Sequence, residues 1–131
     1  MTQSNPFLTD TDRPLVAIRG LRGGYVQLAS AQEITNYRAL PQALFVAAQD
    51  WAARLEGLGA RRVYWITLSE VVRHLHIHLY PRWTDEEPQG LALFEQRHAS
   101  PQPPWTPQIL AAFDAWIQAH AVHVIQAPSG S

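Results

Sequence analysis

Apolar residues recur at helical spacing along residues 40–58, where small and charged residues fill the intervening positions. Pro41 suits the first turn of a helix, and Gly59 follows the last residue of the apolar repeat. This pattern predicts a long amphipathic helix over about 41–58. Its aromatic residue, Trp51, is expected in the hydrophobic core, where such faces are usually buried.

A second helix is predicted near the C-terminus of the chain. Thr106 suits the N-cap and Pro107 suits the first helical position. The apolar face that follows has the spacing of an amphipathic helix and consists of Ile109, Leu110, Phe113, Trp116 and Ile117.

The remaining apolar segments are short and rich in β-branched and aromatic residues, which favours strands. Gly20–Gly24 separates the first two segments and predicts a turn between them. The predicted strands are residues 14–20, 25–30, 61–68, 74–81 and 121–125, with a further short strand at 90–94. Pro81 is expected to stop its strand or to place the end of the strand at a sheet edge.

These elements predict an α+β fold: an antiparallel sheet of about five strands, with the long helix packed on it and a C-terminal helix. Residues 1–131 are expected to form one domain. The polar N-terminal segment 1–13 and the tail 126–131 are expected to be flexible.

The composition narrows the classes of function. Hydrophobic residues make up 47% and charged residues 16% of the 131 residues, which is typical of a globular protein. A net charge of −1 argues against broad binding to nucleic acid or to an acidic membrane. The chain has no cysteine, which excludes disulfides, thiolate zinc sites and cysteine nucleophiles. The N-terminus lacks an apolar signal core, so a cytoplasmic location is expected.

The most informative segment is RHLHIHLYPR, residues 73–82, in which three histidines stand two positions apart. Side chains alternate between the two faces of a strand, so His74, His76 and His78 are expected to share one face. Aliphatic residues fill the other face, which is expected to press on the long helix. Same-face neighbours lie roughly 6.5–7 Å apart along a strand, so the imidazoles form a row.

Three kinds of role are compatible with such a row. Two histidines at i and i+2 can bind one zinc ion if a further ligand comes from elsewhere. The histidines can instead be structural. In the third role, a neutral imidazole attacks phosphorus while its neighbours donate hydrogen bonds to the nonbridging oxygens, and a phosphoryl-histidine forms.

The sequence HLHIHLYPR resembles the His-φ-His-φ-His-φ-φ signature, in which φ is apolar, of the histidine triad family of nucleotide hydrolases and transferases. The stretch from Arg61 to Trp83 is similar to that family's strand, phosphate loop and triad strand in order. The similarity covers about residues 14–85. It implies the family's fold and a nucleotide substrate.

The resemblance implies a role for each histidine. His76 would be the nucleophile that attacks the α-phosphate of a nucleotide and forms a covalent nucleotidyl-histidine. His78 would hydrogen-bond the phosphate or the leaving atom. His74 would orient His76 through its backbone carbonyl group. The resemblance implies no built-in cofactor, although magnesium can accompany a polyphosphate substrate, and it implies a homodimer.

Four other residues are candidates for binding phosphate or substrate. Ser69 and Glu70 fall in the stretch that corresponds to the phosphate loop, and Glu70 replaces a glutamine that many members have. The carboxylate would repel phosphate unless it is protonated or turned away, or it would accept a proton or bind a leaving amine. Tyr25 replaces a histidine but can still donate a hydrogen bond. Arg82 follows the triad and either contacts a distal phosphate or is solvated.

The sequence therefore favours an enzyme that cleaves a nucleotidyl phosphorus bond, with a dinucleoside polyphosphate or a nucleoside phosphoramidate as the type of substrate. Two other functions stay open at this point. One is a nucleotide-binding module without catalysis, and the other is a zinc-dependent hydrolase that uses the histidine row.

Overall fold

The computed structural model describes residues 4–126 and has the element order β-β-α-β-β-α-α-β. A 3-10 turn at Tyr37–Ala39 precedes the first helix. The strands are β1 (Leu15–Arg19), β2 (Val26–Ser30), β3 (Arg62–Ile66), β4 (His76–Arg82) and β5 (Val122–Ile125); the helices are α1 (Gln42–Gly57), α2 (Leu91–Phe94) and α3 (Pro107–His120).

The five strands form one sheet in the order β3-β4-β2-β1-β5. The predicted α+β class and the two main helices are confirmed. The predicted antiparallel sheet of about five strands is confirmed for β1 to β4, whereas β5 pairs with β1 in parallel. Parallel neighbours need a long connection between them, and most of the chain separates β1 from β5.

Helices α1 and α3 cover one face of the sheet and enclose the main hydrophobic core. Trp51 of α1 and Trp116 of α3 are both fully buried, and their rings lie 5.3 Å apart between centroids. Each indole N–H donates to a backbone carbonyl, of Gly24 at 2.9 Å and of Ala47 at 2.8 Å. The placement of Trp51 in the core is thus confirmed.

The predicted start of α3 is also confirmed. The Thr106 side chain caps the helix by accepting a hydrogen bond from the N–H of Ile109 at 3.2 Å. Pro107 occupies the first helical position, where its missing N–H costs nothing. The helix ends at Ala121, whose φ of 51° is left-handed and turns the chain into β5.

The structure corrects one detail of the predicted strands, and at Pro81 it favours the second of the two alternatives, a strand end at a sheet edge. Residues 91–94 form the short helix α2, not a strand, because a run of four apolar residues carries no periodicity that separates the two. Pro81 does not end its strand, since β4 continues to Arg82. Pairing with β2 stops at Leu79, so Pro81 pairs with β3 alone and its missing N–H breaks no hydrogen bond to β2.

The N-terminal segment is packed at one residue. Phe7, which lies in the segment expected to be flexible, is buried against Val16, Ile18 and Ala29 on the sheet face that α1 does not cover. Residues 1–3 and most of the tail expected at 126–131 lie outside the described residues. Within residues 4–126, none of the helices is both long enough and apolar enough to cross a bilayer.

Candidate active site

The histidine row lies on the sheet face opposite the main core. His76 and His78 belong to β4, and His74 lies two positions before the first residue of this strand. Ile77 and Leu79 point to the other face and belong to the core cluster that includes α1. The expected division of this segment into a histidine face and an aliphatic face is therefore confirmed.

The central histidine has one ring nitrogen fixed and one free. Nδ1 of His76 lies 2.8 Å from the backbone oxygen of His74. A carbonyl oxygen only accepts, so Nδ1 carries the proton and donates it. Nε2 then holds the lone pair of the neutral ring. Burial lowers the pKa of His76, which favours this neutral form near neutral pH.

The free nitrogen is accessible despite the burial of the residue, whose exposed fraction is 7%. Among residues 4–126, no hydrogen bond involves Nε2 of His76 or Nε2 of His78. Neither atom is among the fully buried polar atoms that lack a partner in this part of the chain. Both atoms therefore keep some solvent-accessible surface.

His74 is held in one tautomer. Its Nε2–H donates to the backbone oxygen of Ser30 at 2.9 Å, and its Nδ1 accepts from the side-chain amide of Asn5 at 3.0 Å. The orientation of this amide is itself fixed, because Oδ1 of Asn5 accepts from the N–H of Phe7 at 3.0 Å. Burial lowers the pKa of His74, consistent with a neutral ring that has no free nitrogen.

Asn5 and Phe7 were not found by sequence reasoning. The Phe7 ring lies 4.7 Å from the His76 ring and 5.6 Å from the His74 ring, between centroids. The only signal in the sequence is one aromatic residue in an otherwise polar segment, and such a residue carries no information about its partner.

The loop between β3 and β4 contains the candidates Ser69 and Glu70, and it brings Ser69 into contact with the triad. Ser69 adopts a left-handed φ of 49°, which points its hydroxyl at His76. Its Oγ accepts from the backbone N–H of His76 at 3.3 Å and lies 3.4 Å from Nδ1 of the same residue. Glu70 is exposed and makes no hydrogen bond within residues 4–126. Its exposure is compatible with each of the alternatives stated above, a carboxylate turned away from phosphate or one that accepts a proton or binds a leaving amine.

The third histidine is paired with Tyr25. The phenol oxygen of Tyr25 lies 2.7 Å from Nδ1 of His78. Burial, with smaller contributions from His76 and from the positive charge of Arg97, lowers the pKa of His78 to about 3. Burial also raises the pKa of Tyr25. Both groups are therefore neutral at pH 7, and we assign the shared proton to the phenol, which is the stronger donor.

The pairing of Tyr25 with His78 depends on a glycine. Any Cβ atom at Gly20 would overlap the Tyr25 ring. Tyr25 is 4% exposed and packs edge-on against Tyr80, with ring centroids 4.7 Å apart. Gly20 is thus required for the position of the phenol.

A wall of the site comes from residues that sequence reasoning missed. Phe94 of α2 is 4% exposed, and its ring lies 5.0 Å from the His78 ring and 5.3 Å from the Tyr80 ring. Arg97, in the turn after α2, places its guanidinium carbon 4.2 Å from the centre of the Phe94 ring. No periodicity in the sequence links α2 to β4.

Arg82 is not brought to the triad, although it lies on the same face of β4. It stands four positions beyond His78, which corresponds to roughly 13 Å along a strand. Its guanidinium donates to the backbone oxygen of Thr84 at 3.1 Å and lies 3.9 Å from Asp85. These contacts give it a local role at the strand end.

Cavities give limited guidance to the site. A small apolar cavity of about 100 Å³ adjoins His76 and is lined by Tyr37, Leu40 and Phe45, among others. A larger cavity of about 520 Å³ lies on the helix-covered face, at Arg19, Trp105 and Phe113, and is remote from the histidines. The lining of the small cavity also includes Leu44 and Ile77, which belong to the core on the helix-covered face, so the site is identified by the free ring nitrogens and not by a cavity.

The histidine row is not arranged as a metal site. Within residues 4–126, no three histidine, aspartate or glutamate side chains converge on a point that suits a metal ion. Both ring nitrogens of His74 are engaged in hydrogen bonds, so this residue offers no lone pair to a metal.

No protein-family model matches the chain, and no curated protein matches it in sequence.

The buried histidines make the stability of the fold dependent on pH. The unfolded chain binds a proton at His78 near the ordinary pKa of 6.5, whereas the folded protein does so only near 3. Lowering the pH below 6.5 therefore favours the unfolded state, with a slope of about 1.4 kcal/mol per pH unit from this residue. We expect the free energy of unfolding, measured by urea titration, to fall between pH 6.5 and about pH 5.

Two carboxyl groups with lowered pKa values, Asp50 and Glu87, do not change the free energy of unfolding between pH 6.5 and about pH 5. Their contribution is lost only when the pH falls below their ordinary values of 3.8 and 4.5. The variant His78→Gln is expected to reduce the slope between pH 6.5 and about pH 5. An equal slope in the variant and in the wild type would contradict the assignment to His78.

Proposed function

We propose that the protein is a nucleotide hydrolase or nucleotidyl transferase that acts at the α-phosphate through a covalent intermediate on His76. The observation that carries the proposal is the hydrogen bond from Nδ1–H of His76 to the backbone oxygen of His74, at 2.8 Å. This bond leaves a neutral ring with its lone pair on an accessible Nε2, which is the state that a nitrogen nucleophile needs.

The reaction divides into two displacements. In the first, Nε2 of His76 forms a bond to the α-phosphorus, and the bond from phosphorus to the leaving group breaks with its electron pair on the leaving group. The ring then carries a positive charge that the His74 carbonyl stabilises. In the second, water or an acceptor hydroxyl attacks phosphorus, His76 leaves as the neutral imidazole, and the proton of the attacking group is released.

His78 is the donor to the leaving atom in this scheme. The Tyr25 hydroxyl donates to Nδ1 of His78, so the proton of the neutral imidazole is on Nε2, the accessible nitrogen. The ring centroids of His76 and His78 lie 5.0 Å apart, so the two rings are direct neighbours on one face of β4. Tyr25 thus fixes the donor tautomer of His78.

Resemblance to the histidine triad signature supports the choice of a nucleotide. Magnesium is proposed only as a companion of a polyphosphate substrate, and the cytoplasmic location stays a prediction.

Trapping of the intermediate tests the proposed function. The protein is mixed with a dinucleoside polyphosphate or a nucleoside phosphoramidate, quenched, and analysed by mass spectrometry for a nucleotidyl group on the peptide that contains His76. We expect an adduct in the wild type and in His98→Ala, an exposed histidine outside the triad, and none in His76→Ala. Nucleotide binding without an adduct or turnover would instead favour the non-catalytic module.

We further propose a homodimer formed through β3, an edge strand of the sheet. Trp65 of β3 is 42% exposed, and Phe45 and Val46 of α1, which covers the same sheet face, are 39% and 45% exposed. Exposed aromatic side chains beside an unpaired strand edge are typical of a contact surface.

Sedimentation analysis of two variants tests the homodimer. Trp65→Glu is expected to convert a dimer to a monomer, since it places a charge in the proposed contact. Leu110→Glu, at a comparably exposed position on α3, is expected to leave the dimer intact. A monomeric wild type would overturn the proposed dimer.

A further inference from the structure

Arg97 is a cation near the triad that has no role in the two displacements described above. It is half-buried, its guanidinium carbon lies 4.2 Å from the centre of the Phe94 ring, and Nη1 donates to the Phe94 backbone oxygen at 3.1 Å. The Phe94 ring in turn lies 5.0 Å from the His78 ring. Packing on Phe94 therefore holds the guanidinium on the His78 side of the site.

The charge of Arg97 reaches the groups that contact the leaving atom. It contributes to the lowered pKa of His78, and it acts against the burial that raises the pKa of Tyr25. The other groups of the site, including His74 and His76, are neutral near pH 7. A nucleotide with several phosphates would thus meet the positive charge of Arg97 on the His78 side of the site.

Two other arginines on this side of the sheet are already engaged. Arg22 forms a buried ion pair with Glu87, and Arg82 lies near Asp85. Arg97 forms no ion pair within residues 4–126, and its contact with the Phe94 carbonyl uses only one of its donors. An unneutralised, partly desolvated guanidinium with free donors is well suited to bind phosphate oxygens.

We propose that Arg97 is a specificity-determining residue that binds an anionic leaving group, which makes a phosphate chain the preferred leaving group. This inference rests on the proposed function. When Nε2 of His76 attacks the α-phosphorus, the bond from phosphorus to the α,β-bridging oxygen breaks, and its electron pair stays on that oxygen. The departing chain gains negative charge, and Arg97 on the His78 side stabilises it. An amine leaving group carries no such charge.

Two substrates with the same nucleoside test the inference: a dinucleoside polyphosphate and a nucleoside phosphoramidate with an uncharged amine. For Arg97→Gln, we expect kcat/KM for the polyphosphate to fall roughly 10- to 100-fold, the usual effect of losing a charge-assisted hydrogen bond. For the phosphoramidate we expect a change below about threefold. Arg97→Lys is expected to recover part of the loss, because it restores the charge without the fork of donors.

Arg54→Gln serves as the matched control, since Arg54 lies on α1 and pairs with Asp50 away from the triad. It is expected to change neither rate. An equal loss on both substrates, no loss on either, or turnover of the phosphoramidate alone by the wild type would overturn the inference. If the wild type forms no His76 adduct from either substrate, the proposed function fails, and the inference fails with it. If Arg97→Gln does not fold, Arg97→Lys and the ratio of the two substrate rates decide the question.

Discussion

Substitution of His76 by alanine is expected to lower kcat/KM by roughly 10⁴- to 10⁶-fold, as removal of a covalent nucleophile usually does. No neighbouring side chain can replace it. Both ring nitrogens of His74 are engaged in hydrogen bonds. His78 accepts a hydrogen bond from Tyr25 at Nδ1 and carries its own proton on Nε2, so it has no free lone pair. Its pKa of about 3 keeps this ring neutral. The measurement is steady-state turnover of the best substrate, with the adduct followed by mass spectrometry.

Two further variants distinguish a nucleophile from a general binding residue. His78→Ala is expected to slow turnover by roughly 10²- to 10³-fold, the usual range for loss of one acid–base or hydrogen-bonding group. It is expected still to form the adduct, because Nε2 of His76 remains free. His98→Ala is expected to match the wild type. Activity of His76→Ala above about one hundredth of the wild-type value would contradict the assigned role.

The part of the site that lies on β4 could be read from the sequence because a strand alternates its side chains. This local rule places His76 and His78 on one face and Ile77 on the other before any partner is known. His74 precedes the strand and lies at a bend, so the rule alone does not fix its position. The long helix α1 was equally readable from its apolar spacing.

The partners of the histidines could not be read in the same way. Asn5 contacts His74 across 69 positions of sequence, and Tyr25 contacts His78 across 53. Such contacts depend on which strands become neighbours and on how loops return to the sheet. The parallel placement of β5 has the same cause, because strand order is decided by tertiary packing and not by the pattern within one strand.

For the adjacent residues Ser69 and Glu70, sequence position alone does not predict which one contacts His76, because the backbone conformation decides it. Both were candidates because of their place in the sequence, yet only Ser69 reaches His76. The left-handed φ at Ser69 turns the chain at that residue and leaves Glu70 exposed. A positive φ in a non-glycine residue is uncommon, so the sequence gives no reason to expect it here. Such conformations cluster at functional sites, which is consistent with the proposed role of this loop.

The packing of the N-terminal segment on the triad leads to a second large expected effect. Phe7→Ala is expected to lower the free energy of unfolding by about 3–5 kcal/mol, the usual cost of removing a buried phenylalanine side chain. Phe7 is 1% exposed and contacts the rings of both His74 and His76. The backbone N–H of residue 7, which orients the Asn5 amide, remains in this variant. Loss of the side-chain packing would nevertheless loosen the segment that holds Asn5 against His74. Activity is therefore expected to fall together with stability.

Leu8→Ala provides the matched control, because Leu8 is the next residue and is 49% exposed. It is expected to change the free energy of unfolding by less than about 0.5 kcal/mol, as surface substitutions usually do. Urea denaturation of both variants and of the wild type at pH 7 gives the comparison. Equal stability of the two variants would mean that the segment does not pack on the triad in solution. If only Phe7→Ala lowers the free energy of unfolding, and turnover falls with it, the N-terminal segment is part of the site. The position of His74 would then depend on the packing of a segment that the sequence alone predicts to be flexible.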